Sequence, residues 1–132
     1  MTISHIKEVC LYLPDLDRAE EFYHGKLGLS VISKVAGRHI FFRAGTTVLL
    51  CFIPEVTAQE TTLPPHYAHG KQHLAFEVED YPGWVERLNA LEIPITHTQP
   101  WHGGRESVYF EDPFGHVLEL VPPGLWDPPE KN

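Results

Sequence analysis

The feature that most constrains this chain is a hydrophobic pattern that runs through one order of elements, βαβββ, and then runs through it again. Residues 3–13 read as a strand stopped by Pro14. Asp15 then caps a helix in which Leu16, Ala19, Phe22, Tyr23 and Leu27 recur at three- and four-residue steps until Gly28 ends it. Strands are expected over residues 30–35, 38–43 and 47–53. After a proline-bearing connection over residues 54–71, a strand over 72–79 restarts the pattern. Asp80 caps a second helix, with Trp84, Val85, Leu88 and Leu91 on one face, and three more strands are expected over 95–98, 106–111 and 116–121.

The expected fold is therefore α+β, with two βαβββ modules (about 3–53 and 72–121) in a single domain, 1–132. Each module hides one sheet face under its helix and leaves the other to its twin, so the pair is expected to form a cup. Residues 122–132 are read as a tail wandering over the surface. Overlaying the halves places His5 on His73 at an offset of 68, and Gly45 on Gly115 and Leu49 on Glu119 at an offset of 70.

Composition narrows the function. Ten Lys plus Arg against 18 Asp plus Glu give a formal charge of -8, and no basic run is long enough to neutralise a stretch of phosphates. Nucleic acid and anionic membranes are not expected partners. No apolar run approaches the roughly 20 residues of a spanning helix, and the N-terminus carries no export signal, so a soluble cytoplasmic protein is expected. Cys10 and Cys51 lack metal or disulfide spacing and are read as reduced packing residues.

Strand parity selects the candidate site. In the strand from Gln72, Leu74, Phe76 and Val78 share the face that meets the helix, which leaves His73 and Glu77 pointing into the cup. In the last strand Glu119 alternates with Val117 and Val121, where a carboxylate needs a partner. Taken singly, such residues are more often surface or core groups; their matching repeat positions set them apart. His5, His73 and Glu119 thus form a candidate three-ligand site for one divalent ion, Zn, Mn, Fe, Ni or Co. His66, His69, His102 and His116 are read as loop or solvent-facing residues, or as groups that support a ligand from behind. The stretch Trp101-His102-Gly103-Gly104-Arg105 is read as a mobile loop over the cup or an ordinary turn.

These residues resemble the vicinal-oxygen-chelate superfamily, which includes glyoxalase I, extradiol dioxygenases, bleomycin-resistance proteins and fosfomycin-resistance enzymes. The resemblance covers about residues 3–121. It is carried by His5, Leu13-Pro14-Asp15-Leu16-Asp17-Arg18-Ala19, Phe22-Tyr23, Leu27-Gly28-Leu29 and Tyr109-Phe110-Glu111-Asp112-Pro113-Phe114-Gly115-His116-Val117-Leu118-Glu119-Leu120. It implies paired βαβββ modules, a homodimer and a metal at His5, His73 and Glu119. Leu49 falls where glyoxalase I has a fourth, carboxylate ligand. The filled ligand positions differ from the metal-free bleomycin-resistance pattern.

The function expected is a divalent-metal-dependent enzyme whose small substrate chelates through vicinal oxygens. Glu77 is the candidate base, and Tyr109, Ser107 and Arg105 are the candidate substrate-binding residues, with Tyr109 also orienting a substrate oxygen. The alternatives are a fosfomycin-resistance-type thiol transferase or hydrolase, an extradiol-type dioxygenase, and a non-catalytic module that sequesters a small molecule.

Overall fold

The computed structural model describes residues 1–128. The chain divides into two compact units, Met1–Gly70 and Lys71–Asn132, and the α+β pattern of repeated βαβββ modules is what it adopts.

In the first unit, β1 (Glu8–Tyr12), β2 (Ser30–Val35), β3 (His39–Ala44) and β4 (Thr47–Phe52) form one sheet in the order β1-β4-β3-β2. β1 runs parallel to β4, and the other pairs are antiparallel. β1 is shorter than the expected 3–13 because the strand it pairs with, β4, begins at Thr47. The last ladder contacts are Val48 N–H to the Lys7 carbonyl (2.9 Å) and the Thr47 hydroxyl to the Ile6 carbonyl (3.1 Å). His5 therefore lies on an exposed arm ahead of the strand.

The first helix departs from a uniform α-helix. Asp15 caps α1 (Leu16–Ala19) by accepting from the Arg18 N–H, but Glu20–Lys26 is wound as a π-helix. Leu27 N–H reaches back five residues to the Phe22 carbonyl at 3.0 Å. The widened turn lets the adjacent rings of Phe22 and Tyr23, edge to face at 5.2 Å, both turn inward along with Leu27. All five apolar positions read from the periodicity are buried. Leu16, Phe22 and Leu27 each contribute about 1.5–3 kcal/mol by this burial. Their sheet partners are Leu11, Ile40, Phe42, Leu49 and Cys51, with Tyr23 and Phe42 ring centroids 5.5 Å apart. Val48, Leu50, Phe52, Phe41 and Tyr12 take the opposite, open face by parity. Both cysteines are free thiols. The connection after β4 holds one further helical turn, α2 (Pro54–Thr57), whose buried Thr57 hydroxyl donates to the Ile53 and His66 carbonyls.

The second unit repeats this plan. β5 (His73–Glu77), β6 (His97–Pro100), β7 (Glu106–Glu111) and β8 (Val117–Val121) pair in the order β5-β8-β7-β6, with β5 parallel to β8. Asp80 caps α3 (Tyr81–Ala90) by accepting from the Gly83 N–H, and Leu88 is fully buried. β6 starts two residues later than expected, its ladder with β7 running from His97 to Pro100. The expected tail is anchored as far as it is described. Leu125 is buried, and the Arg105 guanidinium lies against Gly124 and reaches the Pro123 carbonyl at 3.5 Å. Residues 129–132 of that tail lie outside the described residues. Among the described residues no helix is long and apolar enough to cross a membrane.

Candidate functional site

Matching hydrogen bonds fix how the two repeats correspond. Val48 N–H to Lys7 O is repeated by Val117 N–H to Gln72 O, and Leu13 N–H to Phe52 O by Val78 N–H to Val121 O. The capping bond from Arg18 to Asp15 is likewise repeated from Gly83 to Asp80. β1 therefore maps on β5 at an offset of 65, Glu8 on His73, and β4 maps on β8 at 69, Val48 on Val117. This corrects the sequence overlay at both positions. The repeat counterpart of His73 is Glu8, and that of Glu119 is Leu50. A one-residue slip in a strand exchanges its faces, and Leu49 belongs to the helix-facing side. Leu50, on the open face, likewise offers no side-chain atom that could bind a metal.

On the open face of the second sheet, the register sets Ala75, Glu119, Tyr109 and His97 in one row across four strands. His73 flanks that row on β5 toward its start, and Glu77 flanks it on the other side. The His73 Nε2 lies 3.1 Å from Glu119 Oε1. Its other nitrogen, Nδ1, is 2.9 Å from the Val117 carbonyl. A carbonyl only accepts, so Nδ1 carries a proton, and in the neutral ring Nε2 presents a lone pair to the carboxylate. Two acceptors at that distance repel unless a cation or a proton lies between them. Glu119 is nearly buried, with 6% of its side chain exposed, whereas His73 is 48% exposed. The pair thus joins an inner carboxylate to an imidazole that opens to solvent.

The loop between β7 and β8 holds this geometry. Asp112 Oδ1 accepts from the Phe114 and His116 N–H groups, both at 2.9 Å, and Gly115 takes the left-handed conformation (φ 88°) that closes the turn. His116, expected to face solvent, is buried instead; its Nδ1 accepts from the Gln72 N–H at 3.1 Å. That bond fixes the residue immediately before His73.

Tyr109 stacks on His73, with centroids 5.7 Å apart, and tilts against His97 at 5.6 Å. Burial first, then the negative charge of Glu119, raises the pKa of its hydroxyl. Ser107 is buried and accepts from the Trp101 indole N–H at 2.9 Å. Trp101 is thereby anchored to β7. Arg105 is turned toward Gly124 and lines a cleft of about 670 Å³ with Glu79, Tyr81 and Glu106. Burial, followed by the charge of Glu106, pushes the Tyr81 hydroxyl up to about 12.

Of the residues expected at the site, the second unit brings together His73, Glu119, Tyr109 and Ser107. Glu77 is exposed on the same face, two residues past the row of Glu119. Sequence reading missed His97, and it placed Trp101 in a loop without its bond to Ser107. Alternation from Tyr109 would have reached His97, had β6 been placed in register. An imidazole with its second N–H held by a carbonyl, beside a carboxylate, is the donor arrangement that suits a divalent ion with nitrogen and oxygen ligands. His73 and Glu119 would be the residues of this unit to hold such an ion. Among the described residues no group of three His, Cys, Asp or Glu side chains is gathered to hold a metal.

Residues 2–120 match the family described as Glyoxalase/Bleomycin resistance protein/Dioxygenase superfamily. The chain belongs to this superfamily. Within it, the chain is 29% identical over 126 residues to the metallothiol transferase FosB of Staphylococcus epidermidis, covering 91% of this chain and 82% of that protein. It is 30% identical to the 2-epi-5-epi-valiolone epimerase of an Actinomyces species, covering 88% and 78%. A solved structure described as lactoylglutathione lyase from Agrobacterium tumefaciens superposes with a TM-score of 0.89 at 38% identity, covering 95% of this chain and 98% of that one.

Proposed function

We propose that this superfamily member is a divalent-metal-dependent enzyme, with His73 and Glu119 as two of its metal ligands, acting on a small substrate that chelates through vicinal oxygens. The observation that carries the reading is the 3.1 Å approach of His73 Nε2 to the Glu119 carboxylate, with Nδ1 already committed to Val117. A relative whose name specifies a metal supports it. A bound divalent ion supplies Lewis acidity to substrate oxygens. The protein's own groups do the rest. Tyr109, whose ring stacks on His73, orients a substrate oxygen above the sheet through its hydroxyl. Glu77, exposed on the same face, serves as the base that takes a substrate proton.

Two ligands from one described unit leave room for a third protein donor. We assign it to the first repeat of a second copy in a homodimer. The arm ahead of β1 supports such a pairing: Ile3 is 96% exposed and Ile6 67%, an apolar surface suited to an interface. His5 is the donor expected from the sequence. Register favours Glu8, which takes in β1 the place His73 takes in β5. Divalent-ion titration of the single variants H73A, E119Q, E8A and H5A tests the set. H73A and E119Q are expected to lose most of the affinity, E8A to lose more than H5A. Wild-type affinity in H73A would refute the reading.

A further inference from the structure

In the first unit, Arg38 serves two partners at once. It clamps Glu60, with Nε donating to Oε1 at 2.8 Å and Nη2 to Oε2 at 3.0 Å, while Nη1 lies 2.6 Å from His39 Nδ1. A guanidinium only donates, so Nδ1 has to accept, and the neutral ring keeps its proton on Nε2, facing Ser33 Oγ at 3.1 Å. The side chains of Arg38 and Glu60 are only 29% and 24% exposed. A two-pronged pair so sheltered counts for more than a loose surface ion pair.

Glu60 belongs to the connection after β4, which is held against the sheet at several points. The Thr57 hydroxyl donates to the His66 carbonyl, and the His66 ring stacks on Phe52 with centroids 4.6 Å apart. The Arg38 guanidinium lies 5.5 Å from the centre of the same ring, and His39 meets it edge-on at 6.2 Å. Phe52 points to the open face of β4, yet it is only 2% exposed. The connection thus lies as a strap over Phe52, and Arg38 joins it to the histidine of β3.

We propose that this strap is released by acid: a proton on His39 Nδ1 turns the acceptor of Arg38 into a donor, Arg38 withdraws, Glu60 is freed and the segment after α2 lifts from Phe52. The charged and titratable groups around His39 are Arg38, from the turn before β3, and Glu60 and His66, from the connection. Ser33 and the rings of Phe41 and Phe52 complete its surroundings without charge. Arg38 opposes a second proton on the ring and Glu60 favours it, while the charge of His66 acts on Glu60. Burial adds to the effect of Arg38 and keeps the folded-state pKa of His39 below 6.5. The strap is therefore fully closed above pH 6.5 and opens as pH falls through that lower value.

Hydrogen exchange of the full chain, expressed at each pH as protection relative to the intrinsic chemical rate, tests the proposal. The reporters are the N–H groups of Ala58, Gln59 and Glu60, which donate to Pro54, Val56 and Thr57; the β3 and β4 ladder is the control for global unfolding. Between pH 7.5 and pH 5, wild-type protection at the reporters is expected to fall about tenfold, the lower end for losing a hydrogen bond to a charged group, while the ladder holds. His39→Gln keeps an acceptor for Arg38 but takes no proton, and is expected to stay protected at both values. Glu60→Gln removes the charge that Arg38 grips, and is expected to be unprotected at both. Constant protection in wild type, an equal fall in His39→Gln, or full protection in Glu60→Gln at pH 7.5 would overturn the proposal. A further measurement needs no variant: the His39 ring resonance, followed by NMR, should titrate at the same midpoint as the loss of protection. Separate midpoints would overturn it as well.

Discussion

Leu49 and Leu50 are chemically identical, yet one packs under the π-wound helix and the other takes the position that Glu119 takes in the second repeat. Alternation along a strand is legible in sequence; which of two adjacent leucines takes which face depends on register, and register is set by partners far away in the chain. The same reason left His39 unread. It lies at the start of β3, stacked on Phe41 with centroids 4.0 Å apart. Its Nδ1 accepts from the Arg38 guanidinium at 2.6 Å, so Nε2 carries the proton and donates to Ser33 Oγ at 3.1 Å. Burial first, and then the Arg38 charge, lowers its pKa below the ordinary 6.5. A histidine kept neutral by the fold contributes stability that is complete above pH 6.5 and is lost as pH falls through the lower folded value. His39→Gln should therefore flatten the decline in urea midpoint between pH 7.5 and pH 5. Equal declines in both proteins would remove His39 from the account.

Among the elements, β2 and β7 fall where the pattern put them, and both helices begin at their expected caps. Caps are local, depending on one side chain and one N–H three residues on, so they are readable. The π-winding of Glu20–Lys26 and the late start of β6 answer to tertiary contacts, and local pattern does not encode them. Asp15→Ala and Asp80→Ala should each cost about 1 kcal/mol in chemical denaturation, the usual loss for a cap. The Asp80 loss should also spread to the site, since α3 follows directly from the strand that carries His73. A loss below a few tenths of a kcal/mol in either variant would show that the capping bonds carry no weight.

The repeat is the level at which sequence spoke most clearly about the whole molecule, and also where it misled. It predicted two βαβββ modules and selected His73 and Glu119, but its residue overlay was out by three positions at β1 and by one at β4, because unequal loops hide the offset. With the register corrected, Glu8 is the first-repeat residue that takes the place of His73, and under the proposed function it is the donor a second copy would supply. Refolding E8A and H73A chains together should then restore about a quarter of the wild-type sites, since half the dimers are mixed and each has one intact pair of contributors. No restoration would count against sharing between subunits. The central claim, that His73 and Glu119 hold a divalent ion, is tested most directly by measuring metal content at equilibrium in untagged wild type, H73A and E119Q. The account predicts one ion per chain in the wild type and almost none in either variant; equal content in all three would contradict it.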